Sequence, residues 1–292
     1  MSFKTLVSPL LLAAALASGA SYAAPLAEDT TLQVQHIRNA TVKITYGETT
    51  FLIDPMLAEK GAYPGFDGTY RSELRNPLVE LPMSVQEVID GVDAVIVTHT
   101  HLDHWDDAAQ ALLPKDIPLF AQHQSDAELI RSQGFEDVRV LDGTAEFGGV
   151  DLHRTGGQHG SDAIYSVPEL AEALGEIMGV VFEAPDSQTT YVVGDTVWRD
   201  EVDQALERYL PEVIVLNAGA AEFTGFENDP IIMGKEDTLR AYQAAPNATI
   251  IAVHMDAVNH MTLTREELGE YVEDNDIADR VLIPADGEVV SF

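Results

Sequence analysis

An α/β fold, with two β-sheets packed together and helices on the outside, is what this 292-residue chain predicts. Three observations carry the prediction. Strand-like runs recur along the whole length instead of in one block. From residue 84 onward many of them alternate with segments that start like helices. The run DAVIVT at 93–98 is continuously apolar, as a strand covered on both faces is. A 46% apolar content suits a globular chain with a sizeable core, and no internal repeat, low-complexity tract or linker divides it.

Residues 1–23 stand apart. Lys4 gives a positive start, LVSPLLLAAALA is apolar but too short to span a bilayer, and Ser21 and Ala23 are small residues where a signal peptidase reads. They predict a cleaved secretory signal, a single mature domain over 24–292, and a periplasmic or secreted protein with no membrane association after cleavage. LQVQHI follows, then TVKITY and TFLID joined across Gly47-Glu48 as a hairpin. The segment from Pro55 to Pro82, rich in Gly, Pro and aromatics, is too long for a plain connection. Ser84 and Glu87 have capping-box spacing ahead of a short helix. After DAVIVT come a helix beyond Trp105, strand PLFAQ, a helix from Ser125 with Glu128 at box spacing, and strand VRVL. Strands near 150–155, 178–184 and 189–194 precede VIVLN at 213–217. The chain ends with a helix from Glu236, strand TIIAVH, a helix after Thr264 and strand RVLI.

Charge and cysteine content exclude several functions. Loss of residues 1–23 removes Lys4 and no acid, leaving 15 basic against 49 acidic residues, a net charge of −34. That field repels nucleic acid and anionic lipid, and the arrays of Lys and Arg that a phosphate backbone needs are missing. The chain has no cysteine, so no disulfide or thiolate is available, and any metal must be held by His and carboxylate.

The chain places His99, His101 and His104 within six positions, with Asp103 among them, directly behind the buried run. At an extended strand end His99 and His101 point to one side, and Asp103 and His104 sit where the chain turns toward the next helix. Four ligands thereby converge, and His-x-His-x-Asp-His suits borderline cations such as zinc.

THTHLDH resembles the signature of the metallo-β-lactamase superfamily, and the resemblance covers essentially the whole mature chain. It implies a four-layer αβ/βα sandwich with metals at the strand ends. It also implies a third histidine, a bridging aspartate and a last histidine, for which the candidates are His159 in TGGQHGSD, Asp195 in YVVGDTVW and His254 in TIIAVHMD. Carried over, one divalent ion takes His99, His101 and His159, a second takes Asp103, His104 and His254, and Asp195 bridges. Zinc, manganese and iron all accept such a set, and two such ions activate one water. TVKITYGETTFLIDPM is similar to the ascorbate-phosphate lactonase-like branch, which makes Asp54 either the acceptor of a ligand histidine's second N–H or a turn residue before Pro55. The sequence departs from that pattern at QHGSD around His159, and at Arg38-Asn39, where the branch carries Gly-His.

His260, six residues past His254, is placed to line the pocket or to stand in as a ligand; His36, His123 and His153 read as packing or surface residues. Tyr63, Phe66, Tyr70, Arg71, Phe223, Phe226 and Met233 are candidates for a lid over the metals, and Trp105 and Trp198 for walls of the cleft. The substrate expected is a small molecule, a lactone or carboxylic ester ahead of a lactam. The alternatives are a phosphodiesterase, disfavoured by the scarcity of Lys and Arg near the motifs, and a metal-dependent ligand-binding protein without turnover. Oligomeric state is left open.

Overall fold

The computed structural model describes Met1 and residues 32–292, so the expected signal segment and the start at Ala24 lie outside the described residues. Two seven-stranded sheets are present. The first contains β1 (Leu32–Arg38), β2 (Thr41–Tyr46), β3 (Thr49–Ile53), β4 (Ala94–Val97), β5 (Leu119–Ala121) and β6 (Val138–Val140) in sequence order. The second contains β7 (Thr144–Phe147), β8 (Val150–Thr155), β9 (Gly179–Glu183), β10 (Thr190–Val192), β11 (Val213–Asn217), β12 (Thr249–Val253) and β13 (Val281–Leu282), also in sequence order. The last strand, β14 (Val289–Ser291), returns to pair antiparallel with β1.

Each sheet begins as an antiparallel meander and continues as parallel strands: β3 to β6 in the first, β10 to β13 in the second. Gly47, at φ 55°, makes the two-residue turn that sets Tyr46 opposite Thr49. Parallel neighbours need long crossovers, and these supply the helices. Because parallel strands end on one edge, the loops that follow them gather there.

Three apolar layers hold the sandwich. Between the sheets, Val34, Ile44, Phe51, Ile53, Ile96 and Phe120 meet Leu152, Val180, Phe182, Val192, Val215 and Ile251. On the outer face of the first sheet lie α1 (Val85–Ile89), α2 (Asp107–Leu112) and α3 (Gln124–Ser132), anchored by Val88, Ala109 and Ile130. The short α4 (Asp162–Tyr165) and α5 (Pro168–Leu174) follow β8. The outer face of the second sheet is covered by α6 (Asp200–Tyr209), α7 (Lys235–Ala244) and α8 (Arg265–Asp274) through Val202, Ala205, Leu206, Ala241, Leu268 and Val272. The two buried faces of β4 explain its continuous apolar run.

The capping box expected at Ser84/Glu87 forms, and a second is present at Thr264/Glu267. The helix expected from Ser125 instead starts at Gln124, because the His123 ring accepts the Asp126 N–H and so acts as its cap. Trp105 does not wall the cleft: it is buried in the outer layer of the first sheet, donating Nε1–H to Gln133. Trp198 likewise packs on the second sheet and donates to Asp203.

Candidate metal centre

All the predicted ligands lie beyond strand ends on one edge of the sandwich. His99, His101, Asp103 and His104 follow β4, His159 follows β8, Asp195 follows β10 and His254 follows β12. The turns are tight. Asn39, Asp54 and His254 all sit in the left-handed region, at φ 60°, 47° and 64°, which non-glycine residues adopt only when their surroundings hold them there. Gly194, at φ 77°, allows the chain to turn directly before Asp195, where a Cβ would run into the Met178 carbonyl.

Each of the five imidazoles has one nitrogen fixed by an oxygen outside the cluster. His104 Nδ1 donates to Asp54 Oδ2 at 2.9 Å, and His254 Nδ1 donates to Asn39 Oδ1 at 2.7 Å. His159 Nδ1 donates to the Ile231 carbonyl at 3.0 Å, and His101 Nε2 to the Ala173 carbonyl at 2.9 Å. The Thr98 hydroxyl gives its proton to Asp54, at 2.7 Å, and so accepts from His99 Nδ1 at 3.2 Å. A carbonyl or carboxylate can only accept, so these contacts fix the tautomers, and the opposite nitrogen of each ring presents a lone pair inward.

Those inward atoms crowd together. His99 Nε2 lies 2.9 Å from His101 Nδ1, and His104 Nε2 lies 3.2 Å from His254 Nε2. Asp195 Oδ2 stands 3.0 Å from His104 Nε2, 3.3 Å from His254 Nε2 and 3.6 Å from His159 Nε2. Asp103 Oδ2 is 3.7 Å from His254 Nε2. Two donors on one tetrahedral ion, with bonds of about 2.0–2.1 Å, stand about 3.3 Å apart, so these spacings suit ligand edges. Donor atoms of His99, His101 and His159, and those of Asp103, His104 and His254, each fall within 4.8 Å of one another, as do those of His99, His104 and Asp195. Lone pairs facing one another at such distances repel unless a cation lies between them.

Electrostatics agree. Burial, reinforced by neighbouring imidazoles, holds His99 well below the ordinary histidine range, and burial brings His159 down to about 4. Burial acts the same way on His104, but the carboxylates of Asp195, Asp103 and Asp54 outweigh it and hold that ring well above its usual value. Asp195 is in turn held well below the carboxylate range, burial being outweighed by His104 and His254. The field that would keep a proton on His104 Nε2 favours a divalent cation in the same place.

The structure brings together every ligand predicted from the sequence, with Asp54 behind His104. It adds residues that local sequence did not single out. Asn39 holds His254, and Asn217, at the end of β11, donates to Asp195 Oδ1 at 2.6 Å. Asn217 had a readable signal, a polar residue closing the apolar run VIVL. His260 is buried beside the cluster, its Nε2 3.9 Å from Asp103 Oδ2, its ring edge-on to Phe66 at 4.8 Å and its Nδ1 without a partner.

A cavity of about 230 Å³ opens onto His101, Asp103, His159 and His260. Phe66, Leu102, Leu174, Phe223 and Ile231 make its walls, Asp67 and Thr69 add polar groups, and among the described residues neither Lys nor Arg lines it. Of the proposed lid residues, Phe66 and Phe223 reach the cavity, while Tyr63 and Phe226 pack the loops down around Met56, Ile232 and Met261. Arg71 ties the insertion to the carbonyls of Asn259 and Met261, with Tyr70 exposed beside it. Met233 belongs to the layer outside the second sheet.

A two-sheet αβ/βα sandwich with a His/Asp cluster at its strand ends defines a metal-dependent hydrolase. Residues 49–255 match the β-lactamase superfamily domain, and the chain belongs to that family. It is similar to UPF0173 protein YddR of Bacillus subtilis (strain 168), 45% identical over 261 residues, covering 89% of this chain and all of that protein. Among solved structures it resembles "a possible metal-dependent hydrolase" from Veillonella parvula DSM 2008 (50% identity, TM-score 0.89, covering 90% of this chain and 100% of that one). It also resembles an isothiocyanate hydrolase from Delia radicum gut bacteria (49% identity, TM-score 0.85, covering 89% and 99%).

Proposed function

We propose that this hydrolase holds two divalent ions and uses an activated water to attack the electrophilic carbon of a small, uncharged, largely apolar substrate, an isothiocyanate first of all. The observation that carries the proposal is the cavity beside the ligand cluster, apolar on most sides and, among the described residues, without Lys or Arg to receive an anion. The isothiocyanate hydrolase that shares 49% of its sequence supports the substrate class. His99, His101 and His159 would hold one ion and Asp103, His104 and His254 the other, with Asp195 facing both sets. Ions held there supply water that is nucleophilic at neutral pH, zinc being favoured by the nitrogen-rich set and manganese or iron accepted. Phe66, Leu174, Phe223 and Ile231 would hold the substituent and exclude bulk water. Oxygen adds to the central carbon, the π electrons move to nitrogen or sulfur, and the thiocarbamate product breaks its C–N bond with a proton on nitrogen. One water and one isothiocyanate thereby give an amine and carbonyl sulfide.

Lactones and esters, the class expected from the sequence, are the second reading, because they offer an uncharged electrophilic carbon to the same cavity. Phosphodiesters fit less well, since among the described residues no Lys or Arg lines it. Metal-quantified protein assayed on aryl and alkyl isothiocyanates, lactones, aryl esters, nitrocefin and bis-aryl phosphates decides among them. Amine and carbonyl sulfide released in equal amounts support the first reading, and turnover of lactones or esters alone would replace it. Export is proposed from the N-terminal sequence, with intact mass of the secreted protein as its test; a retained Met1 defeats it.

A further inference from the structure

Asn39 directly follows β1, at the position where the lactonase-like branch carries histidine, and it is completely buried. Its amide contacts two ligand-bearing segments at once. Oδ1 accepts from His254 Nδ1 at 2.7 Å, and Nδ2 donates to the Asp103 carbonyl at 2.8 Å. The second contact fixes which end of the amide faces which partner, since the Asp103 carbonyl cannot donate. The Asn39 carbonyl also accepts the backbone N–H of His254 at 3.0 Å. The other imidazoles lean on different oxygens: His104 on a carboxylate, His101 and His159 on main-chain carbonyls, His99 on a hydroxyl. Among the described residues, only Asn39 ties one ligand to the main chain of another, and both belong to the Asp103, His104 and His254 set.

We propose that Asn39 is the positioning residue of that half of the centre, its single amide holding the His254 ring and the Asp103 segment in register for the second ion. The proposal rests on the two-ion reading above. The test is zinc titration against a chromophoric chelator, with cobalt(II) absorption reporting ligand geometry, on the full chain and two variants. Asn39→Gly keeps the left-handed backbone at φ 60° and removes the amide; Asn39→Asp keeps an acceptor for His254. The Gly variant is expected to weaken the second ion about 10- to 100-fold and leave the first unchanged. The Asp variant keeps the His254 contact but sets an oxygen against the Asp103 carbonyl, so it too is expected to weaken the second ion and leave the first unchanged. Matched melting curves for the Asp variant and wild type keep the comparison valid if the Gly variant folds poorly. Two sites of unchanged affinity in the Gly variant, or equal weakening of both sites in either variant, would overturn the role of Asn39 alone. Fewer than two sites in the wild-type chain would overturn the two-ion reading and this proposal with it.

Discussion

His104 and Asp54, 50 residues apart in sequence, meet with Nδ1 2.9 Å from Oδ2, both side chains almost entirely shielded from solvent. Asp54 is fully engaged there. Its Oδ1 accepts the Thr98 N–H and its Oδ2 accepts the Thr98 hydroxyl, each at 2.7 Å, besides the His104 ring.

Three donors therefore converge on one carboxylate, and an amide has only one oxygen to offer them. Asp54→Asn is expected to set an NH₂ group against a donor, costing about 1–3 kcal/mol of stability and about 10- to 100-fold in metal affinity. Urea unfolding of the metal-free chain and zinc competition measure the two parts. A variant with both properties unchanged would mean that Asp54 neither orients His104 nor satisfies Thr98.

Asp195, His254 and His260 separate chemistry from metal retention. Asp195→Asn removes the charge that faces both ligand sets, and turnover is expected to fall by at least about 100-fold while the ions are held less tightly together. His254→Ala is expected to release one ion per chain. His260→Ala is expected to keep both ions and to change KM or kcat on the preferred substrate, since this ring lines the cavity and packs on Phe66. Metal analysis with steady-state kinetics orders the three. Loss of an ion from His260→Ala with full retention in His254→Ala would exchange their roles.

Much of this was legible locally. His-x-His-x-Asp-His behind DAVIVT announced the site because its residues are close in sequence, and the continuous apolar runs announced strands with two covered faces. Strand β7 was not legible because it is four residues long, with Thr144 and Glu146 exposed and Ala145 and Phe147 only partly buried, and β14 because it is three residues long at a sheet edge, with Val289 and Ser291 exposed. Helix α6 had a usable signal in Val202, Ala205 and Leu206 at helical spacing, set among charged residues. Asn39 was noticed only as a departure from a familiar pattern. Its partner His254 lies 215 positions away, and the two meet because the turn after β1 lies against the turn after β12.

Alkaline stability follows from two buried phenols. Burial pushes Tyr191 up to about 12 and also raises Tyr46. An unfolded tyrosine titrates near about 10, so the folded chain holds these protons more tightly than the unfolded one. Their contribution is complete below about pH 10 and is lost as pH rises through the folded values. Unfolding free energy is therefore expected to drop steeply between about pH 10 and 12, and Tyr191→Phe should flatten that slope by about one proton. An unchanged slope in the variant would assign the alkaline transition to other groups.

The net charge of −33 sets the last expectation. With 16 basic residues against 49 acids, most carboxylates have no cation to face. One surface concavity shows the consequence: Glu222, Glu236, Glu267, Glu270 and Asp274 surround it, with Lys235 as its one basic lining residue. Repulsion among exposed charges reaches about 30 Å at 0.01 M salt and about 3 Å at 1 M, so the chain is expected to melt lowest in dilute buffer and to gain stability as sodium chloride rises. Glu270→Lys should raise the melting temperature in dilute buffer by on the order of 1–2 °C and have almost no effect in molar salt, where the repulsion it relieves is already screened. A melting temperature that falls steadily with salt would show that the acidic surface is not what limits this fold. An equal gain for Glu270→Lys at both salt levels would trace the effect to local packing, and charge would then have no part in it.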